Sequence, residues 1–212
     1  MHKRIVICSG GELGRWALPY IENCSYLIGA DKGALFLAEH GFRPDIALGD
    51  FDSVTAGQLA LIRNSSRKVE DCDPIDKNYT DTELAFRHAL SLNPGEIVLL
   101  GATGTRLDHT LANMHLLAAA LQQGTPAAII DRHNHISLTD SRLTLSRSGY
   151  RQISLLPLTM RVTGITLTGF QYPLHNAVLN IGQSLGISNV LAEETGTIQV
   201  SEGMLLVIQS ND

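Results

Sequence analysis

The segment Gly49-Asp50-Phe51-Asp52-Ser53 carries two carboxylates one residue apart. In a loop, an Asp-x-Asp pair can turn both acids toward one point, which is what a hard divalent cation needs. Two carboxylates about 5 Å apart at an effective dielectric near 20 repel by roughly 3 kcal/mol. If Asp50 and Asp52 converge, a cation such as Mg²⁺, shared with substrate phosphates, belongs between them. The plain alternative is an Asx-turn with solvated acids. Asp81 follows in Asp76-Lys77-Asn78-Tyr79-Thr80-Asp81-Thr82-Glu83. Thr80 and Glu83 have capping-box spacing, which puts Asp81 in the first turn of a helix, where the dipole alone accounts for an anion. In Thr105-Arg106-Leu107-Asp108-His109-Thr110-Leu111-Ala112-Asn113, polar groups open an otherwise apolar helix. Arg106 suits a phosphate, and Asp108 suits a base or a ligand amine. The bland reading makes Asp108 a helix N-cap and His109 a surface residue. His133 and His135 lack the partner spacing of a zinc site.

These residues need elements to hold them. Short apolar runs over 5–8, 26–30, 46–48, 97–100 and 127–130 read as buried strands. Helical texture fills 13–20, 34–40, 56–63, 81–92 and 109–123. Alternation of this kind, with apolar rather than alternating strands, predicts a mostly parallel sheet covered on both faces. Functional groups on such sheets gather at the carboxyl ends of the strands. Four of those ends are small-residue or acidic turns: Ser9-Gly10-Gly11-Glu12-Leu13-Gly14, Ala30-Asp31-Lys32-Gly33, Gly49 to Ser53, and Gly101-Ala102-Thr103-Gly104-Thr105-Arg106. One such turn is an ordinary tight connection. Four on one edge point to an anion site beside an acidic cluster, with helix N-termini offering N–H groups.

Beyond residue 131 the helical period disappears. Short Thr-, Val- and Ile-rich runs over 135–139, 142–145, 152–156, 161–167, 177–181, 197–200 and 205–208 are separated by Gly, Pro, Asn and Ser. That spacing predicts antiparallel strands. The expected fold is therefore α/β: a mostly parallel layered sheet domain over 1–131, followed by a small antiparallel β-sandwich domain over 132–212. About 80 residues is small for an independent core, so this part is expected to lean on the first domain or on a second subunit.

The 212 residues are 44% hydrophobic and 17% charged, with a net charge of −5 and scattered Lys and Arg. Intrinsic disorder is excluded as a description of the whole chain, and a basic nucleic-acid face is not expected. Three widely spaced cysteines suit a reducing compartment. No stretch approaches the roughly 20 apolar residues of a membrane span. The expected setting is cytoplasmic, without membrane or nucleic-acid partners.

In order along the chain, ADKGALFLAEHGFRPDIALGDFDSV, DKNYTDTELAF, LLGATGTRLDHTLANMHLL and GISNVLAEETGTIQVSEGMLLVI resemble the thiamine pyrophosphokinase family. The resemblance implies an α/β catalytic domain joined to a β-sandwich thiamine-binding domain. It also implies transfer of the pyrophosphoryl unit of ATP to thiamine, giving thiamine diphosphate and AMP. By that resemblance Asp50, Asp52 and Asp81 hold Mg²⁺, and Asp31 contributes from the turn it shares with Gly33. Thr103, Gly104 and Arg106 seat the triphosphate, and Asp108 matches the acid that opens the family's helix motif. Ser188 and Asn189 match a Ser-Asn pair near the vitamin, and Tyr172 stands where an aromatic stacks on it. Arg106 and Lys77 are the candidate cations for the β and γ oxygens. The family further implies a homodimer with active sites at the subunit interface. Lys32 departs from it, standing where many relatives have Gly. Two rivals remain: a phosphatase of the haloacid dehalogenase type, with Asp50 as nucleophile, and a thiamine- or nucleotide-binding module without turnover.

Overall fold

The computed structural model describes residues 3–71 and 78–211. It divides into two compact units, Met1–Arg132 and His133–Asp212. The first is built on β1 (Arg4–Cys8), β2 (Tyr26–Ala30), β3 (Ile46–Gly49), β4 (Val69–Asp71), β5 (Glu96–Leu100) and β6 (Ala127–Ile130). Their order is β4-β3-β2-β1-β5-β6, and every neighbouring pair is parallel. The chain therefore begins mid-sheet, winds outward to β4 and returns to the other side at β5. The crevice outside β1 and β5, where the winding reverses, is where such sheets bind ligands. Ile5, Val6, Ile7 and Cys8 are all fully buried, because helices cover both faces.

Those helices are α1 (Leu18–Glu22), α2 (Lys32–Glu39), α3 (Ala56–Ser65), α4 (Asp81–Ser91) and α5 (Leu107–Gln122). Thr80 caps α4, its hydroxyl accepting from the Glu83 N–H at 3.2 Å, and Ala85, Phe86, Ala89 and Leu90 form the buried stripe. The helical stretch expected over 13–20 is instead a 3₁₀ turn, Arg15–Ala17, running into the short α1. Pro19 has no N–H and fits only a first turn, so the α-helix starts beside it. Strand β4 was not expected at all: three residues, two of them acidic, show no apolar run.

The second unit is wholly antiparallel. Strands β7 (Asn134–Thr139), β9 (Gln152–Pro157) and β13 (Leu205–Ser210) form one layer, with β13 in the middle. Strands β8 (Arg142–Ser146), β10 (Arg161–Thr168), β11 (Ala177–Asn180) and β12 (Thr195–Gln199) form the other, in the order β11-β10-β12-β8. Ile153, Leu155 and Val207 from the first layer pack with Val162, Leu167 and Ile198 from the second, so the unit is a sandwich with its own core. Among the described residues, no helix is long and apolar enough to cross a membrane.

Candidate active site

A cleft of about 1130 Å³ opens at the carboxyl edge of the parallel sheet. It is lined by the turns after β1, β2, β3 and β5 and by the N-terminal turns of α4 and α5. Asp31, Asp50, Asp52, Asp81, Thr103, Gly104 and Arg106 all face it. Gly33 and Asp108 do not line it, and Lys77 lies outside the described residues. Tyr172, Ser188 and Asn189 belong to the second unit.

Local backbone geometry places each acid. Asp31 joins β2 to α2 at φ 48°, ψ −119°, a conformation that non-glycine residues rarely adopt. Gly33 makes that turn possible. A Cβ there would lie 1.9 Å from the Cys8 carbonyl oxygen, so its part is close packing of α2 on β1 rather than contact with a ligand. After β3, Phe51 takes φ 53° and buries its ring with Ala34, Ala47 and Ile62. The ring anchors the loop while its neighbours Asp50 and Asp52 stay at the cleft. Asp50 Oδ1 also accepts from the Asp52 N–H at 3.2 Å, so the Asx-turn and the shared cleft coexist. Just downstream, Thr55 and Gln58 form a full capping box that starts α3.

Asp81 reads the charge of the site. Its carboxyl is pushed up to about 6, first by burial and then by Asp50, Asp31 and Asp52. A hydrogen bond from the Asp50 backbone N–H pulls the other way. Four acids thus share one field, and a cation would relieve it. Asp31 Oδ1 adds a second sign: it is buried and has no hydrogen-bond partner among the described residues. Among the described residues, no three Asp, Glu, His or Cys side chains form a ready-made metal cage. Mg²⁺ fits such a site, because it takes one or two carboxylates and completes its octahedron with water and substrate phosphates.

The opposite wall is a pair of interlocked turns. Gly11 N–H donates to Gly101 O at 2.7 Å, and Glu12 N–H to Thr103 O at 2.9 Å. Those two N–H groups are consumed by the latch, so the first turn shapes the wall instead of offering both amides to an anion. Asn113, buried on α5, donates to Ala102 O at 2.7 Å, and Thr103 Oγ1 donates to Asp131 Oδ2 at 3.0 Å. Arg106 is the N-cap residue of α5, so Asp108 lies inside the first turn and is not the cap. The two pair at 2.6 Å, and the guanidinium holds the Asp108 carboxyl below its ordinary range.

In the second unit Tyr172 is exposed, at 59%, whereas Asn189 is buried. Asn189 Oδ1 accepts from the Tyr172 N–H at 3.1 Å and from the Val190 N–H at 2.8 Å. Its Nδ2 donates to Tyr172 O at 2.8 Å. The amide is therefore spent on holding the Tyr172 backbone. Ser188 is exposed at φ 60°, with its N–H donating to Ser154 Oγ at 3.1 Å.

The chain was compared with known families and structures. The family model for the thiamin pyrophosphokinase catalytic domain matches residues 17–129, and the one for its vitamin B1 binding domain matches 140–205. A thiamine pyrophosphokinase of Bacillus subtilis is 34% identical over 91% of each chain. The crystal structure of thiamine pyrophosphokinase from B. subtilis superposes with a TM-score of 0.92, covering 99% of this chain and 100% of its own. That of the Geobacillus thermodenitrificans thiamin pyrophosphokinase gives 0.89 at 35% identity, covering 99% and 98%. Yeast thiamin pyrophosphokinase, at 13% identity, shares the fold with a TM-score of 0.82 over 99% of this chain and 87% of its own.

Proposed function

We propose, from the premise that the chain belongs to the thiamine pyrophosphokinase family, that it transfers the β,γ-pyrophosphoryl group of ATP to the primary hydroxyl of thiamine. The thiamine oxygen bonds to the β-phosphorus as the bond from that phosphorus to the α,β-bridging oxygen breaks. AMP leaves with the bridging oxygen, thiamine diphosphate forms, and the hydroxyl proton is lost. The observation that carries the reading is the four-acid cleft at the sheet's carboxyl edge, where burial and then the neighbouring acids lift Asp81.

Asp50, Asp52 and Asp81 would hold Mg²⁺, with Asp31 beside them; when bound, the ion neutralises the β and γ oxygens and fixes their orientation. The interlocked turns, with Thr103 and Gly104 at the cleft, would receive the triphosphate. Arg106 would supply positive charge to it, and Asp108 would act through Arg106 by holding the guanidinium. Lys77 is the second candidate cation, on its spacing in the sequence alone. Phosphoryl-type transfer asks a protein chiefly for such positioning and charge neutralisation. Tyr172 and Ser188 would meet the vitamin, with Asn189 holding Tyr172 in place.

A cytoplasmic homodimer with its active sites at the subunit interface completes the reading. Apolar side chains left exposed on the second unit, Met160 at 74% and Leu185 at 62%, support burial against another subunit. The free thiols of Cys8 and Cys24 suit a reducing compartment.

The test is AMP release from ATP and Mg²⁺, with and without thiamine, for wild type and Asp52→Ala. Thiamine-dependent AMP in the wild type, lost in the variant, is the expected result. ADP or inorganic phosphate in place of AMP would overturn the reading.

A further inference from the structure

We infer that Ser53 is a positioning residue for phosphate-bound metal: its hydroxyl holds one oxygen of Asp31 so that the other serves the cation. The inference rests on the pyrophosphoryl-transfer reading above and deepens it at the same site. Ser53 Oγ donates to Asp31 Oδ2 at 2.5 Å, within the range of a charge-assisted O–H···O⁻ bond. The two residues come from different turns, after β3 and after β2. Asp31 Oδ1 is buried and accepts from no donor among the described residues. A carboxylate with one oxygen tied and the other buried without a donor has fixed its free lone pairs for a cation.

The backbone of Asp31 points the same way. It sits on a strained strand-to-helix turn, between Gly29 and Gly33, in the manner that presents a reacting side chain at the top of a sheet. The cost of such a turn, of order 1–3 kcal/mol, is commonly found where placement of a side chain matters. The turn fixes the Cα–Cβ direction only. Rotation of the carboxylate about its own bonds is restrained by the Ser53 hydroxyl, which donates to it. Ser53 itself does not line the cleft, so it acts through Asp31. Asp31 is also one of the charges felt by Asp81, which places it in the field of the proposed metal ligands.

The experiment measures Mn²⁺ binding by loss of the free-ion EPR signal, in the presence of α,β-methylene-ATP, whose bridging carbon resists cleavage. Wild type, Ser53→Ala, Ser53→Thr and Asp31→Asn are compared, with thermal melts to confirm folding. Ser53→Ala is expected to weaken Mn²⁺ about tenfold, as loss of a group that orients a metal ligand does. Ser53→Thr, which keeps the hydroxyl, restores binding. In an Asp31→Asn background, adding Ser53→Ala has no further effect, because the two act as a unit. Wild-type affinity in Ser53→Ala, or equal weakening by the Ala and Thr variants, overturns the inference. Failure of thiamine-dependent AMP release in the wild type would remove the proposed function, while the Mn²⁺ comparison would still decide the part played by Ser53.

Discussion

Asn113, in the second turn of α5, donates its side-chain amide to the Ala102 carbonyl at 2.7 Å, joining the helix to the glycine-rich turn after β5. Both residues are buried. The turn's shape therefore depends on a helix residue eleven positions away. His109 and Asn113 are four apart on this helix and both line the cleft. What spacing alone did not convey is that Asn113 looks inward to the backbone.

Asn113→Ala leaves the Ala102 carbonyl without its donor and is expected to cost about 1–3 kcal/mol. Asn113→Asp, which sets an acceptor against an acceptor, is expected to cost more. Thermal melts measure the first effect, and KM for ATP measures the second consequence, loosening of the turn. A melting point unchanged in both variants would contradict the assignment.

At Gly33, an added methyl meets backbone on two residues: the Cys8 carbonyl carbon at 2.3 Å and the Ser9 nitrogen at 2.8 Å, besides the oxygen at 1.9 Å. Backbone cannot swing aside as a long side chain can. Gly33→Ala is expected to destabilise the protein by about 3 kcal/mol, toward the upper end of core overpacking. A variant that melts like wild type would show that α2 can lift from β1 without loss.

The layered plan was legible because burial on both faces leaves continuous apolar runs, as in the fully buried Ile5 to Cys8. The Thr80 cap was legible because a capping box is local. Thr55-x-x-Gln58 is a local pattern of the same kind. The spacing Gly29-x-Asp31-x-Gly33 also carries the mark of a sharp strand-to-helix turn. Beyond these local signals, long-range partners decide. Strand β4 exists because β3 offers an edge, with Ala47 opposite Val69, although its own three residues have little strand character. Asn189, expected near the vitamin, ties its side chain to the Tyr172 backbone, a partnership set by a strand contact with Ile153 and by the path of residues around Tyr172.

The raised carboxyl of Asp81 links stability to pH. The folded protein binds this proton more tightly than the unfolded chain, with the carboxyl moved from 3.8 to about 6. Its favourable contribution is thus complete below about pH 4 and is lost as pH rises through about 6. The full shift corresponds to about 3 kcal/mol, but the side chain is only half-buried, and solvent screening reduces this to about 1 kcal/mol. Asp81→Asn is expected to raise the melting temperature of the metal-free protein by about 2–4 °C at pH 8 and not at pH 4. Adding Mg²⁺ with α,β-methylene-ATP should stabilise wild type more than the variant. A variant less stable than wild type at pH 8 without metal would refute the crowding.

Asn189 and Tyr172 give the last prediction, which separates a latch from a ligand contact. Three hydrogen bonds run from the buried Asn189 side chain to backbone, two of them to Tyr172. Asn189→Ala leaves those backbone groups unpaired in the protein, at about 1–3 kcal/mol. The same change frees the segment that carries the exposed Tyr172 ring. Thiamine should then bind more weakly in both Asn189→Ala and Tyr172→Ala, while KM for ATP stays near wild type. The two variants differ in stability, because Tyr172→Ala keeps the backbone bonds and should melt close to wild type. If Asn189 instead touched the vitamin directly, combining the substitutions would weaken thiamine binding additively. If it acts through Tyr172, the double variant should bind thiamine no worse than Tyr172→Ala alone. Titration calorimetry with thiamine on the four proteins decides between these two outcomes.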